Sequence, residues 1–281
     1  MWRQPLPCSR SERRNAGFAL LIVLWTLVLI AFLVLHLTAS GRTEIRITSN
    51  LQSNAVAAAA ADGAISAAIF NLSAPQPDQR WRIGGAPHQL MIGDCRVVVR
   101  IENEAARINP NLASPALIEA LLHAVGTDPA SALRIAAAIA DWVGSSPTPK
   151  TPDMLKAEYQ SAGLDYAPPG APFESLDELS RVLGVTPALY AALRPHLTLF
   201  GPAQPDPAGA DPVVAAAVAQ IPELAQTAAP AATSPQDSRT VRIVADAAGL
   251  GNARVSRTAI VRVGPTQPEG YQVLAWCNTV E

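Results

Sequence analysis

The sequence predicts an α+β fold in which a long N-terminal helix packs on an antiparallel sheet and an all-α domain is inserted between two of the strands. Three observations carry that prediction. An apolar run opens at Phe18 and is prolonged by Ala-rich, proline-free sequence as far as Leu72. Alternation of apolar and polar residues appears between His88 and Glu102 and returns only after Thr240. The stretch between those two blocks is punctuated by helix-start signals instead.

The first element begins with a basic head. Arg3, Arg10, Arg13 and Arg14 face a single acid, Glu12, and no charged residue follows from Phe18 to Gly41. Those 24 residues reach about 36 Å at about 1.5 Å per residue, enough to cross a hydrocarbon core of about 30 Å. Four arginines before the span outweigh Arg42 and Arg46 just after it, so the positive-inside rule puts the N-terminus in the cytoplasm and the remainder across the membrane. Beyond the span, Leu51, Ala55, Ala58, Ile65, Ile69 and Leu72 keep helical spacing, and Pro75 and Pro77 follow. One helix of about 55 residues is expected, half in lipid and half packed on a soluble domain. Ala58, Ala61, Ala64 and Ala68 would let a neighbouring helix come close.

Strands come next. His88 to Ile92, a Gly93-Asp94 turn, and the alternating run Cys95-Arg-Val-Val-Val-Arg-Ile-Glu102 read as a hairpin with one wet and one buried face. The period returns in Thr240 to Ala245, Ala253 to Val263 and Tyr271 to Trp276, with Gly249-Leu-Gly-Asn252 as a turn. About five antiparallel strands result, and a hairpin connection of such a sheet tolerates an insertion. The insert carries Ser114 before Pro115, Asp128 before Pro129, the capping box Ser175-Leu-Asp-Glu178 and Thr186 before Pro187, so at least four short helices are expected. Residues 201 to 239 hold seven prolines among Ala, Gly, Asp and Thr. That composition predicts a linker unable to fill a core, with a marginal helix at Asp211 to Gln226. The domain order is thus 1–17 leader, 18–41 membrane half of the helix, 42–108 helix and first strands, 109–200 helical insert, 201–239 linker, and 240–281 last strands.

Composition removes several functions. With 49% apolar residues, 16% charged residues and a net charge of −2 over 281 residues, the chain is neither disordered nor a polycation for nucleic acid. Cys8, Cys95 and Cys277 lack any C-x-x-C spacing, which excludes a zinc ribbon or a thioredoxin-like site. His36, His88, His123 and His196 are scattered, without H-E-x-x-H, G-x-S-x-G or a phosphate loop, so no enzyme is expected. Beyond the span, Cys95 and Cys277 share one predicted sheet in a translocated, oxidising compartment. They form either a bridge, if their strands adjoin, or two unpaired small hydrophobes.

Short motifs then give the chain a family resemblance. Arg14-Asn-Ala-Gly17-Phe18-Ala-Leu-Leu resembles the type IV prepilin signal, which implies that prepilin peptidase cuts between Gly17 and Phe18 and methylates Phe18. The ordered runs Arg107-Ile-Asn-Pro-Asn-Leu-Ala-Ser114, Ala138-Ile-Ala-Asp-Trp142, Lys156-Ala-Glu-Tyr159, Phe173-Glu-Ser-Leu-Asp-Glu-Leu179, Val182-Leu-Gly-Val-Thr-Pro-Ala-Leu-Tyr190 and Gly270-Tyr-Gln-Val-Leu-Ala-Trp276 resemble the general secretion pathway protein K family, the large minor pseudopilins of type II secretion. About four-fifths of the chain takes part; the Pro/Ala-rich stretch does not.

That resemblance implies a pilin-like long helix on an antiparallel sheet with a helix-hairpin-helix-like insert, anchored in the inner membrane with its globular part in the periplasm. It implies a tip subunit that joins minor pseudopilins I and J and starts the pseudopilus for export of folded proteins, with no nucleic acid bound. Most pilins carry Glu where this chain has Ile22; protein K typically lacks it, as a tip subunit with no neighbour above can. The resemblance also implies structural calcium in the insert, for which Asp141, Asp153 and Glu158 remain as ligands. The rival reading, a membrane-anchored DNA receptor, rests on helix-hairpin-helix likeness at Ile108 to Pro115 and Leu179 to Pro187. Against it, residues 109 to 200 carry five basic and nine acidic residues, a net of −4, the wrong sign for phosphate.

Overall fold

The computed structural model describes residues 15–74, 76, 79–207, 209–222, 238–267 and 269–279. Residues 1–14 of the expected leader and 223–237 of the expected linker lie outside them, as do Pro75 and Pro77. Helix α1 spans Asn15–Leu72, and the chain divides into two compact units, Met1–Ala55 and Val56–Glu281. In the first unit the stretch Phe18–His36 is wholly unburied, with a mean hydropathy of 3.1.

In the second unit α1 buries Ala57, Ala61, Ala64, Ile65 and Ala68 completely against the sheet. Spacing of three and four residues puts them on one face, and the small side chains bring the helix backbone close to the strands. The stripe differs from the expected one in its first half, because Leu51 and Ala55 face outward. The difference matters for partners as well. Ala61, Ala64 and Ala68 are covered by this chain's own strands, which leaves none of the three for a neighbouring helix.

Five strands form one antiparallel sheet in sequence order: β1 (His88–Ile92), β2 (Cys95–Asn103), β3 (Arg239–Ala248), β4 (Arg254–Val263) and β5 (Tyr271–Thr279). Alternation dictates the two faces. Cys95, Val97, Val99 and Ile101 of β2, with Val241, Ile243, Ala245 and Ala247 of β3, are buried under α1, whereas Arg100 and Asp246 pair on the opposite face. The register of β4 and β5 shifts between Ile260 and Val261, where Leu274 of β5 is left without a partner.

The insert leaves the sheet between β2 and β3. It contains α2 (Pro115–Ala124), α3 (Pro129–Val143), α4 (Pro152–Ser161) and α5 (Pro187–Leu193). Ser114, Asp128, Thr151 and Thr186 cap these four helices by accepting from the backbone N–H of Leu117, Ser131, Met154 and Leu189, each ahead of a proline at the first helical position. The capping box at Ser175 starts a 3₁₀ segment, Leu176–Arg181, rather than an α-helix. Their apolar faces form a second core around Leu117, Leu121, Leu122, Trp142, Tyr159 and Leu179.

The marginal helix expected at Asp211 to Gln226 is present in shorter form, and residues 201–222 differ from the expected linker in contributing to a core. Helix α6 (Pro212–Ala219) places Val214, Ala217 and Val218 in the core of the insert, against α2. Three apolar side chains on one helical face are enough to anchor a segment whose average composition is poor, and Asp211 caps it by accepting from Val213 and Val214 N–H.

Candidate functional site

The seam between sheet and insert is built from residues immediately after β2. Asn103 pairs with Val241 across the sheet, so the chain must leave and return at the same place. Asn103 caps the 3₁₀ turn Glu104–Ala106 through Ala105 N–H and donates to Asp206 Oδ2 at 2.9 Å. Beyond it, the two ends of the insert lie side by side. Ile108 N–H donates to His196 O at 3.0 Å and Thr198 N–H to Ile108 O at 2.9 Å, making a parallel bridge between Ile108 and Leu197. Buried Asn109 donates to Leu199 O and Gly201 O at 3.2 and 2.8 Å.

Glu104 is the centre of this seam. Its carboxylate has no solvent exposure, and the Arg242 guanidinium of β3 grips it with two hydrogen bonds of 2.8 and 2.7 Å. Thr198 donates its hydroxyl to the same carboxylate, and Arg107 stands 3.9 Å away while bonding Glu102 at 2.7 Å. Burial alone would lower the pKa of Arg242, but the carboxylate of Glu104 outweighs it and holds the guanidinium above its ordinary range. One buried carboxylate therefore ties strand β3, the turn after β2 and the last residues of the insert together. None of these residues is distinguished by the sequence alone, because the partners stand 94 and 138 positions apart.

The three acids that resemblance assigned to calcium do not form a metal site. Asp141 near the end of α3 and Glu158 of α4 do approach each other, but Lys150 lies between them, its Nζ 3.0 Å from Asp141 Oδ2 and 2.7 Å from Glu158 Oε2. The hydrogen bond to Glu158 raises the pKa of this lysine above 10.5 against a smaller opposing effect of burial, with Asp141 adding to the rise. Asp153 sits on the exposed first turn of α4. Among the described residues no group of three or more His, Cys, Asp or Glu could hold a metal ion, and calcium asks for six to eight oxygens. The donor set does not fit the ion.

The cysteines are also apart. Both thiols are free, Cys95 buried and Cys277 exposed. Cys95 faces α1, whereas Cys277 lies opposite Thr258, which lies opposite Val244 and then Arg100, on the other face of the sheet. Strands β3 and β4 intervene, a separation of about 14 Å at about 4.8 Å per strand, against the 7 Å that a bridge tolerates. Of the two alternatives, the bridge lacks the adjacent strands it needs because the sheet runs in strict sequence order, and the unpaired state differs from the expected pair of core hydrophobes in that Cys277 is exposed.

The Leu179 to Pro187 hairpin, one of the two on which the rival DNA reading rests, is closed on itself. Leu183 N–H donates to Tyr159 Oη at 3.1 Å and Val185 N–H to Val182 O at 3.1 Å, so these amides do not point outward at a phosphate. Gly184 is left-handed, with φ 87°, and a Cβ there would stand 3.0 Å from Ile135. Its glycine serves close approach to α3. At the other end of the chain, the Gly17–Phe18 junction falls in the first turn of α1, with Phe18 exposed.

Comparison with known proteins gives concordant likenesses. Residues 97–202 match the family model for protein K of the type II secretion system (T2SS), a span from within β2 to just past the seam. The chain is 27% identical over 207 residues to the type II secretion system protein K of Klebsiella pneumoniae, a match that covers 66% of this chain and 63% of that protein. It thus spans less than two thirds of that relative's length. Among solved structures, a chain in the crystal structure of the GspK-GspI-GspJ complex from the enterotoxigenic Escherichia coli type 2 secretion system matches with a TM-score of 0.57. That match covers 85% of this chain and 99% of the other at 16% identity, which is a likeness of fold.

Proposed function

We propose that this chain is a protein K of the type II secretion system and works as a minor pseudopilin, a mechanical subunit rather than a catalyst; the family-model match over residues 97–202 and the 27% identity to a protein K support the reading. It sits at the tip of the pseudopilus, where its bulky insert caps the filament and its association with minor pseudopilins I and J starts assembly for export of folded periplasmic proteins. The observation that carries the reading is the helical insert fastened through Glu104 and Arg242 into the β2–β3 connection of a five-stranded antiparallel sheet. The structural relative's complex of GspK with GspI and GspJ supports those partners.

The bare apolar stretch Phe18–His36 is the membrane anchor, single-pass in the inner membrane. The arginine-rich leader stays in the cytoplasm and the second unit lies in the periplasm. Prepilin peptidase removes residues 1–17 and methylates Phe18. Co-purification of the full-length protein with candidate minor pseudopilins I and J from detergent-solubilised membranes tests the assignment. A stable three-way complex is expected, and failure of the chain to associate with either protein would overturn it. N-terminal sequencing of the same material should begin at methylated Phe18, and replacing Gly17 with a bulky residue should leave the leader attached.

A further inference from the structure

We propose that Lys150 is a built-in counter-ion that holds the α3–α4 corner of the insert in the place of a divalent metal, so that this chain's insert is stable without calcium. The geometry comes from three separate pieces of chain. Asp141 belongs to the last turn of α3, Glu158 to α4, and Lys150 to the loop joining them, directly before Thr151, the cap of α4. The ammonium donates to one carboxylate oxygen on each helix, at 3.0 and 2.7 Å, and so bridges them as a bound cation would.

The course of the loop delivers the lysine. Gly144 ends α3 in the left-handed region at φ 77°, and a Cβ there would stand only 2.8 Å from Gly170 O. The turn is therefore both tight and walled. Ser145-Ser-Pro-Thr-Pro-Lys150 then runs back to α4 without a single carboxylate, and two prolines limit the number of other courses it can take. A calcium ion entering between Asp141 and Glu158 would have to expel the ammonium and would find no further acid in the loop to complete its coordination shell.

The electrostatic need for some cation is local. Asp141 is nearly buried beside Trp142 and the aromatic stack of Trp142 with Phe173, whose centroids are 5.9 Å apart. A carboxylate there without a counter-charge is strongly unfavourable. Lys150 supplies the charge at fixed stoichiometry, so the corner is independent of the calcium concentration outside the cytoplasm.

Thermal unfolding of the full-length protein in detergent micelles tests this. The wild-type midpoint should be the same in millimolar calcium chloride and in excess EDTA, and a fall in EDTA or a rise in calcium would overturn the proposal. Lys150→Met keeps the aliphatic stem and removes the charge; its midpoint should fall by roughly 4–8 °C. Adding Asp141→Asn to that variant neutralises the stranded carboxylate and should restore most of the loss. If the double variant is no more stable than Lys150→Met alone, the lysine acts through its stem and not as a counter-ion, and the proposal fails even though the protein folds.

Discussion

Glu104 and Arg242 form the most buried charge pair in the described residues, and their role can be separated from ordinary packing. Removing one partner strands the other in a desolvated place, so Glu104→Gln should lower stability by about 3 kcal/mol, read as a lower urea midpoint with an unchanged slope. An apolar exchange of both residues for well-fitting side chains should be much milder, since it removes the desolvation as well as the attraction. The cysteines give a second test at this scale. In native protein Cys277 should react with a maleimide within the time that Cys95 stays protected, and no bridged species should appear on non-reducing gels. Single-residue signals were legible where the chemistry is local. Ser114, Asp128 and Thr186 each stand directly before a proline and each caps the helix foreseen for it. The same local pattern, Thr151 before Pro152, marks α4 as well. Glu104 was not legible, because nothing near it in sequence hints at a guanidinium 138 residues away.

Elements were legible in proportion to the regularity of their period. All five strands lie where alternation put them, since a one-residue slip would turn every buried side chain to solvent. The unburied apolar stretch Phe18–His36 of α1 was equally plain. Helix α6 was legible as a marginal helix at Asp211 to Gln226 but not as part of the core, because seven prolines between 201 and 239 dominate the average while a short run, Pro212-Val-Val-Ala-Ala-Ala-Val-Ala219, does the anchoring. Its weight is testable. Val214 is fully buried, and Val214→Ala should cost about 1.5–3 kcal/mol, whereas a true linker would tolerate it without measurable loss.

The cap of α6 also predicts a response to acid. Burial raises the pKa of Asp211, but the contact with His196 at 2.8 Å and the N–H groups of Val214 and Val213 prevail and leave it below its ordinary 3.8. Asp128 at α3 is lowered in the same direction by Ser131 N–H. A depressed carboxylate stabilises the fold above its unfolded value and loses that contribution as pH falls through the folded value. Stability of the insert should therefore be flat from neutral pH down to about pH 4 and fall below it. Asp211→Asn, which still caps but does not titrate, should flatten the part of that fall that belongs to α6, as followed by amide exchange of Val213 and Val214.

At the scale of the whole molecule the question is whether this subunit ends a filament or repeats along it. A shaft subunit must offer the same contact above and below without obstructing the next copy, because a heterologous contact that does not close repeats indefinitely. Two features of this chain oppose repetition. Ile22 stands where most pilins have an acid that meets a neighbour's terminal amine, and the residues from Glu104 to beyond α6 add a second core to the one under α1. The insert is joined to the sheet side at several points, by the Ile108–Leu197 bridge, by Asn109 to Gly201 O and by Glu104 to Arg242 of β3. If the proposed tip role holds, the full-length protein should fail to polymerise alone, and Ile22→Glu should leave its assembly with minor pseudopilins I and J largely unchanged, as expected of a subunit with no neighbour above it. A label on an exposed insert residue such as Leu133, viewed by electron microscopy on assembled filaments, should appear at one end only. Regular labelling along the shaft would refute the cap without touching the proposed family membership, which N-terminal sequencing at Phe18 tests separately.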